Sequence, residues 1–215
     1  MRARTRKTPA AGRTRRRTTA TTAAVVGVSV MGAALLLTGC GDGQDTASVP
    51  EGWGTLETRS LSVGYPKNEG YAEQPAAERA KSNAAVALQE KDGIRTGMVS
   101  VQLDFATGVS DAAGAAAAAG AGIGMNSTRR ATEDVRLAGP DDAREAREAR
   151  EARRIDYDFT ADGQDDTPNV GTPMTGVLVA GVDSKGVPFV VRLNAVKDAV
   201  DAEDLDAFVE SITVK

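Results

Sequence analysis

The 215-residue chain has 26 Lys and Arg against 30 Asp and Glu, but no acid precedes Asp42; eight bases stand alone before it, and residues 42–215 carry 18 bases against 30 acids. A body so acidic excludes a basic nucleic-acid-binding surface, because phosphate neutralisation needs clustered Lys and Arg, and it is soluble and self-repelling. With no histidine and one cysteine, Ser-His-Asp and Cys-His catalysis, His-ligated metals and internal disulfides are excluded as well.

The first segment reads as an export signal. Arg2, Arg4, Arg6, Lys7, Arg13, Arg15, Arg16 and Arg17 form a cationic start, and residues 18–39 hold no charge; this is the charged-then-apolar layout of a secretory leader. Residues 23–37 are its most apolar part, about the length of such a leader's core and short for a free-standing span. Directly after it, Leu36-Leu37-Thr38-Gly39-Cys40 resembles the bacterial lipobox, in which Cys40 would be thioether-linked to diacylglycerol and become the mature N-terminus. The rival readings are an uncleaved membrane anchor, for which the uncharged stretch is long enough, and a buried thiol. Arg15-Arg16 is followed by Thr18-Thr19 rather than an apolar pair, so the export route stays open between the general and twin-arginine pathways.

Residues 1–39 are therefore expected to be a lipoprotein signal peptide. Residues 40–50 form a flexible tether reaching about 15 to 20 Å, and residues 51–215 a single domain. Within it, Leu61, Val63 and Tyr65 alternate up to Pro66 and predict a strand. Residues 84–89 and 98–105 flank Asp92-Gly93, a hairpin signal. A short helix over 75–82 and a longer one from Ser110 or Asp111 through the Ala/Gly-rich stretch to Met125 follow from composition, the second held by docking because its glycines weaken it.

Ile155, Tyr157 and Phe159 alternate with Asp156 and Asp158 in another strand. The strands 176–183 and 187–194 pair across Ser184-Lys185-Gly186 and are apolar on both faces, so they require cover on both sides. Leu205, Phe208, Val209 and Ile212 stand at helical spacing, with Asp201 as N-cap and Glu203 and Asp204 in the first turn. Residues 143–154 repeat Ala-Arg-Glu. A period of three drifts around a helix and leaves no apolar stripe, so this insertion is expected to be a solvated helical extension, with a partner-binding helix as the sharper alternative.

The order of these pieces carries a resemblance. Val49-Pro50-Glu51-Gly52-Trp53, Leu61-Ser62-Val63-Gly64-Tyr65-Pro66, the central hairpin, Arg154-Ile155-Asp156-Tyr157-Asp158-Phe159, the last hairpin and the closing Phe208-Val209-Glu210-Ser211-Ile212-Thr213-Val214 resemble the Mog1/PsbP-like fold, and within it the LpqN/LpqT-type envelope lipoproteins of high-GC Gram-positive bacteria. The resemblance implies an α+β domain, a central antiparallel sheet with helices on both faces, an αβα sandwich. It implies accessory or binding roles without fixing one.

No catalytic, cofactor-binding or metal site is expected. Gly120-Ala121-Gly122-Ile123-Gly124 departs from dinucleotide-loop spacing. Asp156, Asp158 and Asp162-Gly163 fail the calcium-loop intervals and read as the wet face of a strand. No Ser-x-x-Lys run exists. Trp53, the single tryptophan, reads as an aromatic that closes one end of the core; the functional alternative is a stacking platform for a sugar or lipid head group.

The function expected from all this is that of a lipid-anchored, non-enzymatic binding or scaffold module on the extracytoplasmic face of the cell membrane. It would be a monomer meeting an unknown envelope protein or lipid, and no nucleic acid. The alternatives are a carrier of an apolar or glycolipid ligand and a carboxylate-dependent extracytoplasmic hydrolase.

Overall fold

Turn chemistry sets the registers of the main sheet. The computed structural model describes residues 48–124, 126–139, 150–164 and 166–215. Asp92 (φ 54°) and Gly93 (φ 77°) both take left-handed conformations, as a two-residue hairpin turn of the primed type requires, and they join β4 (Ala85–Lys91) to β5 (Ile94–Leu103). The clearest hairpin in the sequence forms as β8 (Pro173–Val182) and β9 (Pro188–Val196). Its turn is closed by Asp183, whose Oδ1 accepts the amides of Lys185 and Val187, each at 2.8 Å. With β3 (Tyr71–Glu73), β6 (Ser127–Leu137) and β7 (Arg150–Thr160), these strands make a seven-stranded antiparallel sheet in the order β3-β4-β5-β9-β8-β7-β6.

Strand periodicity sends alternate residues to opposite faces. Val99, Val101, Val177, Val179, Val191 and Leu193 are buried on one; Ile155, Tyr157, Leu178, Ala180 and Val190 are buried on the other. The first face is covered by a three-stranded sheet, ordered β1 (Gly54–Glu57), β2 (Leu61–Tyr65), β10 (Thr213–Val214), together with α2 (Ala202–Glu210). A reciprocal capping box between Asp201 and Asp204 starts α2, satisfying amides that the first turn leaves without partners. It then buries Leu205, Phe208 and Val209. The opposite face receives α1 (Ala112–Ala121), capped by Asp111, whose Oδ1 accepts the Gly114 amide at 2.7 Å. Ala115, Ala116 and Ala119 are buried beneath it, since side chains this small let a helix lie close on a sheet.

The expected αβα sandwich is not the fold. Among the described residues 47 % are strand and 14 % helical, with two α-helices and two sheets. The reason lies in the segments that flank the domain: Leu56, Leu61, Val63 and Val214 alternate inward and pair with one another, so a second sheet takes much of the surface that a helical layer would cover. No helix forms over 75–82 either. Arg79 holds that segment as turns, donating from Nε to the Gln74 carbonyl at 2.7 Å and from Nη1 to that of Ala84 at 2.6 Å.

The charged array also departs from expectation where it is described. Residues 150–154 are the start of β7, not a helix. Across the ladder Arg136 faces Glu151, Asp134 faces Arg153 and Glu133 faces Arg154. Opposite charges directly across an antiparallel pair stabilise it, and Ala152 points into the core. Residues 143–149 of the array, the signal segment 1–39 and Cys40 lie outside the described residues.

Candidate functional site

Three adjacent strands build one site on the α1 face of the large sheet, just beyond the helix C-terminus. Tyr157 of β7, Gly176 of β8 and Asn194 of β9 lie side by side in register. The Tyr157 hydroxyl crosses the middle strand and donates to Asn194 Oδ1 at 2.5 Å. Only glycine leaves that path open: a Cβ on Gly176 would stand 2.4 Å from Asn194 Oδ1 and 2.7 Å from Tyr157 Cζ. The Tyr157 and Phe159 rings, 5.8 Å apart between centroids and tilted by 34°, extend this floor toward the end of β7.

Two connections raise walls around the floor. Gly122, Ile123 and Gly124 leave the end of α1, and Asn126 and Ser127 enter β6; on the other side stand residues 160–162, Thr167 and Pro168 after β7. With Arg95, Met98, Met174 and Arg192 they enclose an open groove of about 420 Å³, within the roughly 300–1,000 Å³ of small-molecule sites. The helix therefore stops at Ala121, short of the end expected at Met125, and Gly122 to Gly124 form one lip of the groove.

The chemistry inside is mixed. Burial pushes the Tyr157 phenol up to about 12, although the Arg192 charge and the Asn194 hydrogen bond act the other way; near neutral pH it is an uncharged donor. Arg192 donates from Nη2 to the Ala119 carbonyl at 3.1 Å, a favourable place for a cation at a helix C-terminus. Arg95 anchors the groove through its backbone, its amide donating to the Asp166 carbonyl at 2.6 Å. The Ser127 and Thr167 hydroxyls each donate to a nearby main-chain carbonyl, of Gly124 and Gln164 respectively. Asp162, the one carboxylate among the described lining residues, accepts the Gln164 amide at 3.2 Å. Such a surface can bind and orient an apolar or amphipathic molecule, with Arg and amide groups fixing its polar end.

The residues singled out from sequence lie elsewhere. Trp53 is half-buried against the main core, its ring beside Gly64 of β2, and does not line the groove. Asp156 and Asp158 fall on the opposite sheet face, each neutralised by cations: Asp156 by Arg154 at 3.0 Å, Asp158 by Arg130 at 3.2 Å and Lys197 at 3.1 Å. No group of three or more His, Cys, Asp or Glu placed to hold a metal occurs among the described residues. Tyr157, Arg192 and Asn194 were missed as a site because each looks ordinary in its own strand. The signal was present in β9, where Arg192 and Asn194 interrupt a face that its neighbours fill with apolar side chains.

The fold and the groove define a two-sheet, β-rich domain with an open cleft on its helix-covered face. No protein-family model matches the chain, and no curated protein matches it significantly.

Proposed function

We propose that this protein is a lipid-anchored extracytoplasmic module that binds a small molecule in the groove beyond α1 and performs no chemistry on it. The groove carries the reading: it combines an apolar floor with a few convergent polar groups, the usual composition of a ligand site. Carboxylate-dependent hydrolysis calls for two facing acids, whereas Asp162 stands alone among the described lining residues. Attachment through Cys40 and the likeness to LpqN/LpqT-type lipoproteins rest on sequence order and belong to the same proposal. Among the described residues no helix is long and apolar enough to cross a membrane.

Native mass spectrometry of the protein purified from its own cells tests the binding role. A non-covalent small molecule that leaves on activation, and is lost from a Gly176→Leu variant that still melts cooperatively with Tyr157 and Asn194 forced aside, is the expected result. Equal retention by the Gly176→Leu variant, or no bound molecule even after incubation with an envelope lipid and metabolite extract, would overturn it.

A further inference from the structure

We infer that the groove takes a small amphipathic anion: an apolar body carrying one carboxylate or phosphate, its head held by Arg192 and Arg95 and its body lying on Met98, Phe159 and Met174. The inference rests on the groove being the ligand site proposed above and adds the chemistry of its ligand.

Charge complementarity is the main argument. In a body with 18 bases and 30 acids, the half-buried Arg79, Arg153 and Arg154 each reach a carboxylate within 3.1 Å, while Arg59, Arg129 and Arg136, which make no ion pair among the described residues, are exposed to water. The two groove arginines, like Arg150 at the start of β7, are half-buried and still make no ion pair among the described residues. Arg192 rises from β9, a central strand of the sheet, and uses one donor on the Ala119 carbonyl out of the five that a guanidinium offers. The Arg95 Nε is buried with no hydrogen-bond acceptor among the described residues. Of the described lining residues only Asp162 opposes these two cations; half-buried positive charge left in excess is costly, and an anionic group supplied by a ligand removes that cost.

The guanidinium fork selects the kind of anion. Planar paired donors match the two oxygens of a carboxylate or phosphate, while a neutral sugar or alcohol leaves both charges uncompensated and an amine is repelled. The apolar side chains select the body. Met98, Ile123, Phe159 and Met174 line the same groove, and methionine side chains adapt readily to different apolar shapes. A volume of about 420 Å³ suits one small molecule, not a two-chain lipid with its head group.

Calorimetric titration of the full protein as its own cells process it, held in zwitterionic nanodiscs with empty discs as the blank, tests this with one apolar body and different heads. Phenylbutanoate and phenylbutyl phosphate are expected to bind, with phenylbutanol and phenylbutylamine about tenfold weaker or more, the change that a lost charge-assisted hydrogen bond brings. Acetate and inorganic phosphate should be weaker still. Arg192→Gln and Arg95→Gln should bring the anions down to the level of the alcohol. If Arg192→Gln fails to fold, Arg95→Gln and the fall of wild-type affinity with added salt carry the same test.

Alcohol binding equal to that of the anions, or anion binding untouched in a folded variant of either arginine, overturns the inference while leaving the groove a ligand site. So does head-group binding as tight without the apolar body, or binding seen with phosphatidylglycerol vesicles and not with the free anions. If none of the probes binds, the ligand-site reading fails and this inference falls with it.

Discussion

Asp183 shows how much one side chain can hold. Besides closing the β8–β9 turn, its Oδ2 accepts the Ser60 hydroxyl at 2.6 Å, so a single buried carboxylate ties the β1–β2 connection to the large sheet. Burial pushes its pKa up, but the hydrogen bonds from Ser60 and from the Val187 and Lys185 amides outweigh that and hold it below the ordinary aspartate value. A carboxyl with a depressed folded pKa adds stability above its unfolded value of about 3.9, and that stability is lost as pH falls through the folded pKa. Ser60→Ala should therefore cost about 1 to 2 kcal/mol near neutral pH, with the gap from wild type narrowing in acid; denaturant melts across the acid range check this. At the same scale, Cys40→Ala should leave unprocessed precursor in the membrane fraction or shed protein into the medium. Intact mass of the wild type should show an N-terminal Cys40 carrying lipid, and an N-terminus elsewhere contradicts the lipobox. The groove residues were hard to read at this scale because Tyr157, Gly176 and Asn194 are distant in sequence; only the register of three strands makes them neighbours.

Among the elements, α2 was the most legible, since a cap followed by a stripe at helical spacing is a local signal. Phe208 is fully buried at the centre of that stripe, and Phe208→Ala should cost about 3 to 5 kcal/mol, lowering the melting temperature well beyond any effect of an exposed substitution such as Glu203→Ala. An unchanged melt would show that α2 is not docked. β6 went unread for the opposite reason: it is an edge strand, largely exposed, so burial imposes no alternation on it. Its charges are the device that protects such an edge from other chains, and they also complement those of β7. The array at 150–154 misled for a related reason: its partner in the ladder is β6, an exposed strand with no apolar alternation to announce it, so the charge pairing across the two strands is not visible in either segment alone. β10 and β1 are too short for any periodic pattern, yet their pairing with β2 is what replaces the expected helical layer.

For the molecule as a whole, the two-sided burial of β8 and β9 was legible from their apolar runs, but what covers them was not. Small helices and small sheets bury the same apolar area, and the choice depends on non-local pairing between residues 54–65 and the C-terminus. The same view predicts that the molecule tolerates a change in the length of its charged repeat. Deleting residues 146–148 shortens the connection between β6 and β7 and restores the same Ala-Arg-Glu junction. A slip of β7 by three residues would turn Ile155 and Tyr157 to the wrong face, so their burial keeps the register. Closure entropy should change by only a few tenths of a kcal/mol, and a thermal melt within a degree or two of wild type is the expected outcome.

If the cleft beyond α1 is where this protein meets its ligand, a bound anion must perturb the residues that line it. Amide shift mapping on the isotope-labelled protein during titration with phenylbutanoate should show saturable shifts confined to Met98, Ile123, Tyr157, Asn194 and their neighbours. Shifts centred instead on Trp53 and Gly64, or none at saturating concentration, would rule the cleft out as the binding site.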